Sequence, residues 1–283
     1  MSKAKAYTAT VSCRAGSSVP FGMLTGDFMV ILEVKNAVKW YRPGLFPGSG
    51  TRVRALDNVS LSVSRGESLG IIGESGGGKS TLARIMIGLE QPDDGQVLYC
   101  GKRLEELSKD EKADFRRDVQ IVFQDTAGAF NPRMRVISIM KEPFENYYPG
   151  QKKSYLIRMK RLLELVGLHP DILGSYPHQL SGGQRQRLAI ARALVSQPKL
   201  LLCDEVIASL DISLQGQILM LLRKLQQSGL TIFFISHQLP PACYLADIIA
   251  VMCAGRIVEM LPREKLSAAQ HPYSRSLLAS WPI

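Results

Sequence analysis

The run Gly73-Glu74-Ser75-Gly76-Gly77-Gly78-Lys79-Ser80-Thr81 combines residue types and spacing suited to one task, the holding of a phosphate chain. It fits the pattern G-x-x-x-x-G-K-[ST]. Glycines at 73, 76, 77 and 78 can adopt positive φ and carry no Cβ, so backbone N–H groups can converge on an anion. The same groups open a helix, whose positive end favours negative charge. Lys79 would reach the β- and γ-phosphates, and the Ser80 hydroxyl would hold Mg²⁺.

Other polar groups stand at the tips of apolar runs. Leu200-Leu201-Leu202-Cys203 ends on Asp204-Glu205, Val119 to Phe123 ends on Gln124-Asp125, and Thr231 to Ile235 leads to His237. Open α/β sheets bind ligands at the carboxyl ends of their strands. At the edge of a phosphate site one acid can hold Mg²⁺ through its water shell and the other can polarise an attacking water. Ser181-Gly182-Gly183-Gln184 opens a helix and is a second anion-site signal. Trp40 and Tyr41 close the first strand, where an aromatic face stacks on a purine or packs at a sheet edge.

These residues need elements to position them. Ser68 to Ile72 is short and apolar, a strand, and Leu82 to Ile87 has helix composition, which gives the loop its strand–loop–helix context. Val30 to Val34 reads as a strand, followed by a Gly- and Pro-rich loop over 42–50. Val59, Leu61 and Val63 alternate with Ser60, Ser62 and Ser64, the pattern of a half-exposed antiparallel strand. Gln91 to Gly95 is turn chemistry before a strand over Gln96 to Cys100. Ser108 with Glu111 forms a capping-box pattern opening a helix to about Arg117. From about Thr126 to Leu180 strand-like runs give way to helical spacing, with Leu156, Met159, Leu162, Leu163 and Val166 as a core stripe. Asp211 is placed to cap a helix from Leu214 to Gln227. A strand from Ile248 to Cys253, a turn at Gly255 and short helices complete the chain.

Composition bounds the possibilities. The 283 residues allow one or two domains with a sizeable core, and the hydrophobic fraction of 46% and charged fraction of 21% are ordinary for a globular protein. No apolar run approaches the roughly eighteen residues of a membrane span, since Asp247 breaks the longest candidate. The net charge of +10 is spread over dispersed Lys and Arg, which favours solvated faces over a nucleic-acid surface. Five scattered cysteines, Cys13, Cys100, Cys203, Cys243 and Cys253, form no C-x-x-C pair and read as reduced thiols. Residues 1–28 read as a disordered extension, or as residues ahead of a start at Met29.

In this order the motifs resemble the ATP-binding-cassette (ABC) family of ATPases from about Val30 to the end. The carrying features are the glycine-rich loop, the family's signature sequence Leu180-Ser181-Gly182-Gly183-Gln184, and the strand ending Asp204-Glu205 that follows it. The resemblance implies an α/β fold: a P-loop NTPase (RecA-like) core, an antiparallel β subdomain, and an inserted helical subdomain over about 126–185. It implies ATP and Mg²⁺ as cofactors, with residues 73–81 and Tyr41 (or Trp40) around the nucleotide. It further implies Lys79, Gln124, Glu205 and His237 as the catalytic set, with Gln124 in the lid loop, Glu205 the catalytic glutamate and His237 the switch histidine. Ser80, Gln124 and Asp204 would be the metal ligands. Ser181, Gly182, Gly183 and Gln184 would face the γ-phosphate held by a second ABC chain, in a homo- or heterodimer, and Asp211 belongs to the Ser209-Leu210-Asp211 loop.

A finer resemblance is to ATPase subunits of peptide and nickel importers. It rests on Phe123-Gln124-Asp125 with Asn131-Pro132-Arg133, on Tyr176-Pro177-His178-Gln179, and on His271-Pro272-Tyr273-Ser274-Arg275-Ser276-Leu277-Leu278. It implies an ATPase domain over 29–255 with a C-terminal extension of that type over 256–283. Partners would be transmembrane permease subunits and an extracytoplasmic solute-binding protein, at the cytoplasmic face of the inner membrane, with no nucleic acid. Three departures stand out: Gln238 after the switch histidine where Asp is usual, Val206-Ile207 after the catalytic glutamate, and Thr126 after the lid loop. The alternative from another class is a soluble ABC ATPase acting on nucleic acid or in a multienzyme assembly.

Overall fold

The computed structural model describes residues 29–42 and 52–281. The extension over 1–28, Cys13 and nearly all of the Gly- and Pro-rich loop lie outside the described residues. In chain order the strands and helices are β1 (Val30–Tyr41), β2 (Val53–Ser64), β3 (Leu69–Ile72), α1 (Lys79–Met86), β4 (Asp94–Tyr99), β5 (Lys102–Arg103), α2 (Lys109–Asp118) and β6 (Val119–Val122). Next come α3 (Thr126–Ala129), α4 (Val136–Tyr147), α5 (Tyr155–Leu165), α6 (Gly182–Leu194), β7 (Leu200–Asp204) and α7 (Ile212–Gln227). The chain ends with β8 (Thr231–Ser236), α8 (Leu239–Leu245), β9 (Ile248–Cys253), β10 (Arg256–Pro262) and α9 (Pro272–Ala279). Short 3₁₀ turns link the helices over 152–180.

The fold divides into two compact units, one of residues up to Glu106 together with Phe234–Ile283, the other Leu107–Phe233. In the first unit β2, β1, β4 and β5 form an antiparallel sheet in that order. The alternation read at Val59, Leu61 and Val63 appears as three buried side chains between more exposed serines. The first strand runs from Val30 to Tyr41, with Trp40 and Tyr41 at its end, through irregular register against β2. That irregularity is why its alternation fades in the sequence after Val34.

In the same unit β3 pairs parallel with β9, and β9 turns back antiparallel into β10. The segment Arg256–Pro262, expected as helix, is a strand. Every side chain beyond Arg256 in it is half-buried, so no apolar–polar alternation marks it, and pairing with β9 decides its state. Helix α8 closes on β3 at Gly70, where an added Cβ would stand 3.0 Å from the Ala246 Cβ. Asp57 ties β2 to the β9–β10 turn: its amide donates to the Gly255 carbonyl at 2.8 Å and its carboxylate pairs with Arg54 and Arg256.

In the second unit β6 and β7 pair in parallel and helices follow β6. The Ser108 capping box is present, with the Ser108 hydroxyl accepting from the Glu111 amide and the Glu111 carboxylate from the Ser108 amide. Phe144 is buried and stacks on Tyr155 at 5.1 Å between ring centroids. Met159, Leu163 and Val166 complete this apolar layer, each contributing roughly 2 kcal/mol through burial. Leu156, counted in the same stripe, is instead 47% exposed: a stripe this wide runs off the buried face at its first turn.

Candidate functional site

The glycine-rich loop turns between β3 and α1 in the first unit. Gly76 and Gly78 take positive φ, 80° and 98°. At Gly78 a Cβ would overlap the Ala55 carbonyl oxygen, and at Gly73 it would overlap that of Met252. The loop is thus seated directly on neighbouring backbone, which only glycine permits. The Gly77 carbonyl accepts from the Gly255 amide at 3.2 Å, adding the β9–β10 turn to that seat.

Lys79 is 4% exposed, and its ammonium donates to the carbonyls of Gly73 at 2.9 Å and Glu74 at 2.8 Å. A buried cation is therefore held inside the curl of the loop, charge-assisted hydrogen bonds offsetting its desolvation. Helix α1 begins at this lysine with Gly78 as N-cap and no side-chain cap, and no acid stands in its first turn. By contrast α2, α6 and α7 are capped by Ser108, Ser181 and Asp211. A bare, positive helix end beside a buried ammonium and a glycine cradle fits a polyphosphate. Ser80 and Thr81 sit in the first turn of α1.

Tyr41 and Trp40 differ in what they face, as neighbours along a strand must. The Tyr41 hydroxyl donates to the Glu90 carboxylate and neighbours the Thr81 side chain. Burial raises its pKa first, with Glu90 adding to the rise and Thr81 opposing it. Trp40 is 40% exposed with the Arg54 guanidinium over its ring at 5.1 Å. Of the two aromatics, Tyr41 is the one beside the loop's helix. His237 follows β8 in this same unit; next to it Gln238 is the N-cap of α8, without a side-chain cap, its amide donating to the Ser236 hydroxyl at 2.9 Å.

The remaining candidates belong to the second unit. Asp204 ends β7 and is 5% exposed, and Glu205 follows it at φ 49°. A left-handed backbone at a non-glycine residue costs on the order of 1–3 kcal/mol and turns the chain sharply away from the strand. Val206 and Ile207, unusual by resemblance, are both buried beyond that turn. Burial, together with the Asp204 charge, pushes the Cys203 thiol far up, which keeps it neutral. Gln124 lies two residues past β6 and is exposed; Asp125 next to it accepts from the Gly128 amide at 3.1 Å.

Ser181 caps α6 and forms a capping box with Gln184, at 3.2 Å and 2.9 Å. The helix begins at Gly182, so the glycines lie in its first turn. Ser181 and Gly182 are exposed while Gly183 is buried against Leu214, whose side chain would stand 2.9 Å from an added Cβ. Asp211 accepts from the Leu214 amide at 2.9 Å, so the signature and the Asp211 turn pack as one piece. Beside it Ile212 is 87% exposed. Two residues near the glycine-rich loop and its helix escape sequence reasoning: Glu90, which fixes Tyr41, and Tyr273, which accepts from the Glu74 amide at 3.1 Å.

Among the described residues no cluster of three or more His, Cys, Asp or Glu could hold a metal, and no helix is long and apolar enough to cross a membrane. Mg²⁺ at a phosphate site needs one or two protein ligands beside phosphate oxygens, and the Ser80 hydroxyl is an oxygen donor of the kind it takes.

The family model for ABC transporters matches residues 56–208. The chain is 42% identical over 266 residues to the oligopeptide transport ATP-binding protein AppF of Bacillus subtilis, spanning 92% of this chain and 81% of that protein. It is 40% identical over 260 residues to the oligopeptide transport ATP-binding protein OppF of Escherichia coli, spanning 91% and 76%. Among solved structures it is similar to a dimeric ATP-binding cassette in a post-hydrolysis state bound to ADP and Pi, with a TM-score of 0.73 at 30% identity, covering 82% of this chain and 99% of that one.

Proposed function

The chain belongs to the ABC transporter family, and from that premise we propose that it is the ATP-hydrolysing motor subunit of an importer for oligopeptides. One observation carries the reading: a glycine cradle closed around a buried lysine, at the head of an uncapped helix, in a chain 42% identical to an oligopeptide transport ATP-binding protein. The names of the relatives favour peptides over nickel or a metal chelate. They also favour a transport motor over a soluble ATPase acting on nucleic acid.

The roles follow from the chemistry of each group. Residues 73–81 hold the phosphates of ATP, with Lys79 on the β- and γ-phosphates and the Tyr41 ring against adenine. Ser80, Gln124 and Asp204 would hold Mg²⁺, which when bound neutralises charge on the β- and γ-phosphate oxygens. Glu205 takes the proton of the water that attacks the γ-phosphorus, as the bridging bond to the β-phosphate breaks. His237 reads the γ-phosphate. Ser181, Gly182, Gly183 and Gln184 meet the γ-phosphate held by a second ABC chain, and the exposed signature end of α6 is the feature that supports this.

In this reading residues 29–255 form the ATPase domain, with a helical subdomain over about 126–185 and a C-terminal extension over 256–283. The subunit is peripheral, at the cytoplasmic face of the inner membrane, with permease subunits and a solute-binding protein as partners. ATP-driven closure and post-hydrolysis opening of the dimer drive the permeases. Glu205→Gln keeps the size of the side chain and one acceptor oxygen and removes the base. It is expected to bind ATP, to persist as an ATP-bound dimer on a sizing column, and to lose at least about 100-fold in phosphate release. Hydrolysis by this variant at the wild-type rate would sink the assignment.

A further inference from the structure

The C-terminal segment reaches the glycine-rich loop by a continuous set of contacts. The Glu259 carboxylate on β10 accepts from the amides of Gln270 at 2.7 Å and His271 at 3.3 Å. His271 caps α9 through its Nδ1, which accepts from the Tyr273 amide at 3.2 Å, and Pro272 pre-sets the first helical residue. Ser274 is fully buried, so this end of α9 is packed against the unit rather than frayed. The Tyr273 oxygen then accepts from the Glu74 amide at 3.1 Å.

The Gly73–Glu74 peptide is a junction. On the opposite side from the Glu74 amide its carbonyl, that of Gly73, accepts from Lys79 at 2.9 Å, and the next carbonyl along, that of Glu74, accepts from Lys79 at 2.8 Å and from the Gly77 amide at 3.1 Å. One planar peptide therefore links the phenol to the ammonium. Fixing the N–H end fixes where the carbonyl, and hence Lys79, can point. We propose that Tyr273 is a positioning residue for the nucleotide site, its hydroxyl holding the Gly73–Glu74 peptide so that the loop and Lys79 keep the shape that receives phosphate. The C-terminal segment thereby sets ATP affinity. This rests on the reading of residues 73–81 as the ATP site.

Tyr273→Phe removes the one oxygen and keeps the ring. In the full-length chain without nucleotide, hydrogen exchange at the Glu74 amide should accelerate, while the Leu82 amide, bonded to the Gly78 carbonyl at 2.9 Å, keeps its rate. ATP affinity by titration calorimetry should fall roughly two- to fivefold, the lower part of what one neutral hydrogen bond supports, because water replaces the phenol at an exposed peptide. The KM for ATP should rise by the same factor with kcat unchanged. Unaltered exchange at Glu74 overturns the proposal, and so does faster exchange with unaltered ATP affinity. Absence of ATP binding by the wild-type chain overturns the ATP-site reading itself, a result distinct from either.

Discussion

Gly78 joins local geometry to the site. Its φ of 98° lies where side chains are strained, and the Ala55 carbonyl occupies the place of a Cβ. Gly78→Ala is expected to destabilise the fold by about 1–3 kcal/mol and to displace the head of α1, abolishing ATP binding. Urea unfolding and calorimetry measure the two effects, and an unchanged unfolding midpoint would refute the conformational argument. Residues of this kind were legible in the sequence because their constraint is local. A glycine required by positive φ and a lysine at fixed spacing announce themselves without tertiary knowledge. Tyr41 was legible only as one of two aromatics, since the sequence does not say which strand face looks toward Thr81.

Among elements, capping explains most of what sequence reading located. Ser108 and Ser181 each sit in a capping box, so each helix start rests on contacts no more than three residues apart. That yields a paired test. Ser108→Ala and Ser181→Ala should each lower stability by about 1 kcal/mol, but only the second should lower ATPase activity. Equal activity in both variants would reduce the signature serine to a helix cap. The β10 strand and the exposed Leu156 were not legible, because a half-buried strand has no period and a helical stripe does not say where the buried face ends.

For the whole molecule, the proposed function is exercised through partners. The cargo contacts belong to other subunits in this reading, so the chain's own surface does not choose between peptide and metal. Assembled with the permeases and binding protein proposed as its partners, the ATPase should be stimulated several-fold by oligopeptides and not by nickel salts. Stimulation by nickel alone would transfer the assignment to metal uptake. The exposed Ser181, Gly182 and Ile212 on one packed piece of the second unit suit a surface that a second chain covers, although the Asp211 turn also serves as a plain helix cap.

The sequence by itself determined the residues that the proposed chemistry needs: the glycine cradle with its lysine, the paired acids at a strand tip, the Ser181 helix start and the order that joins them. Each is set by residue type and by hydrogen bonds spanning a few residues, which spacing records. Tertiary structure alone decided that β10 is a strand, that Tyr41 rather than Trp40 stands beside the loop, and that Tyr273 bonds to Glu74 across 199 residues of chain. Those contacts depend on which surfaces meet after folding, and the pattern of residues along the chain does not encode a partner so distant.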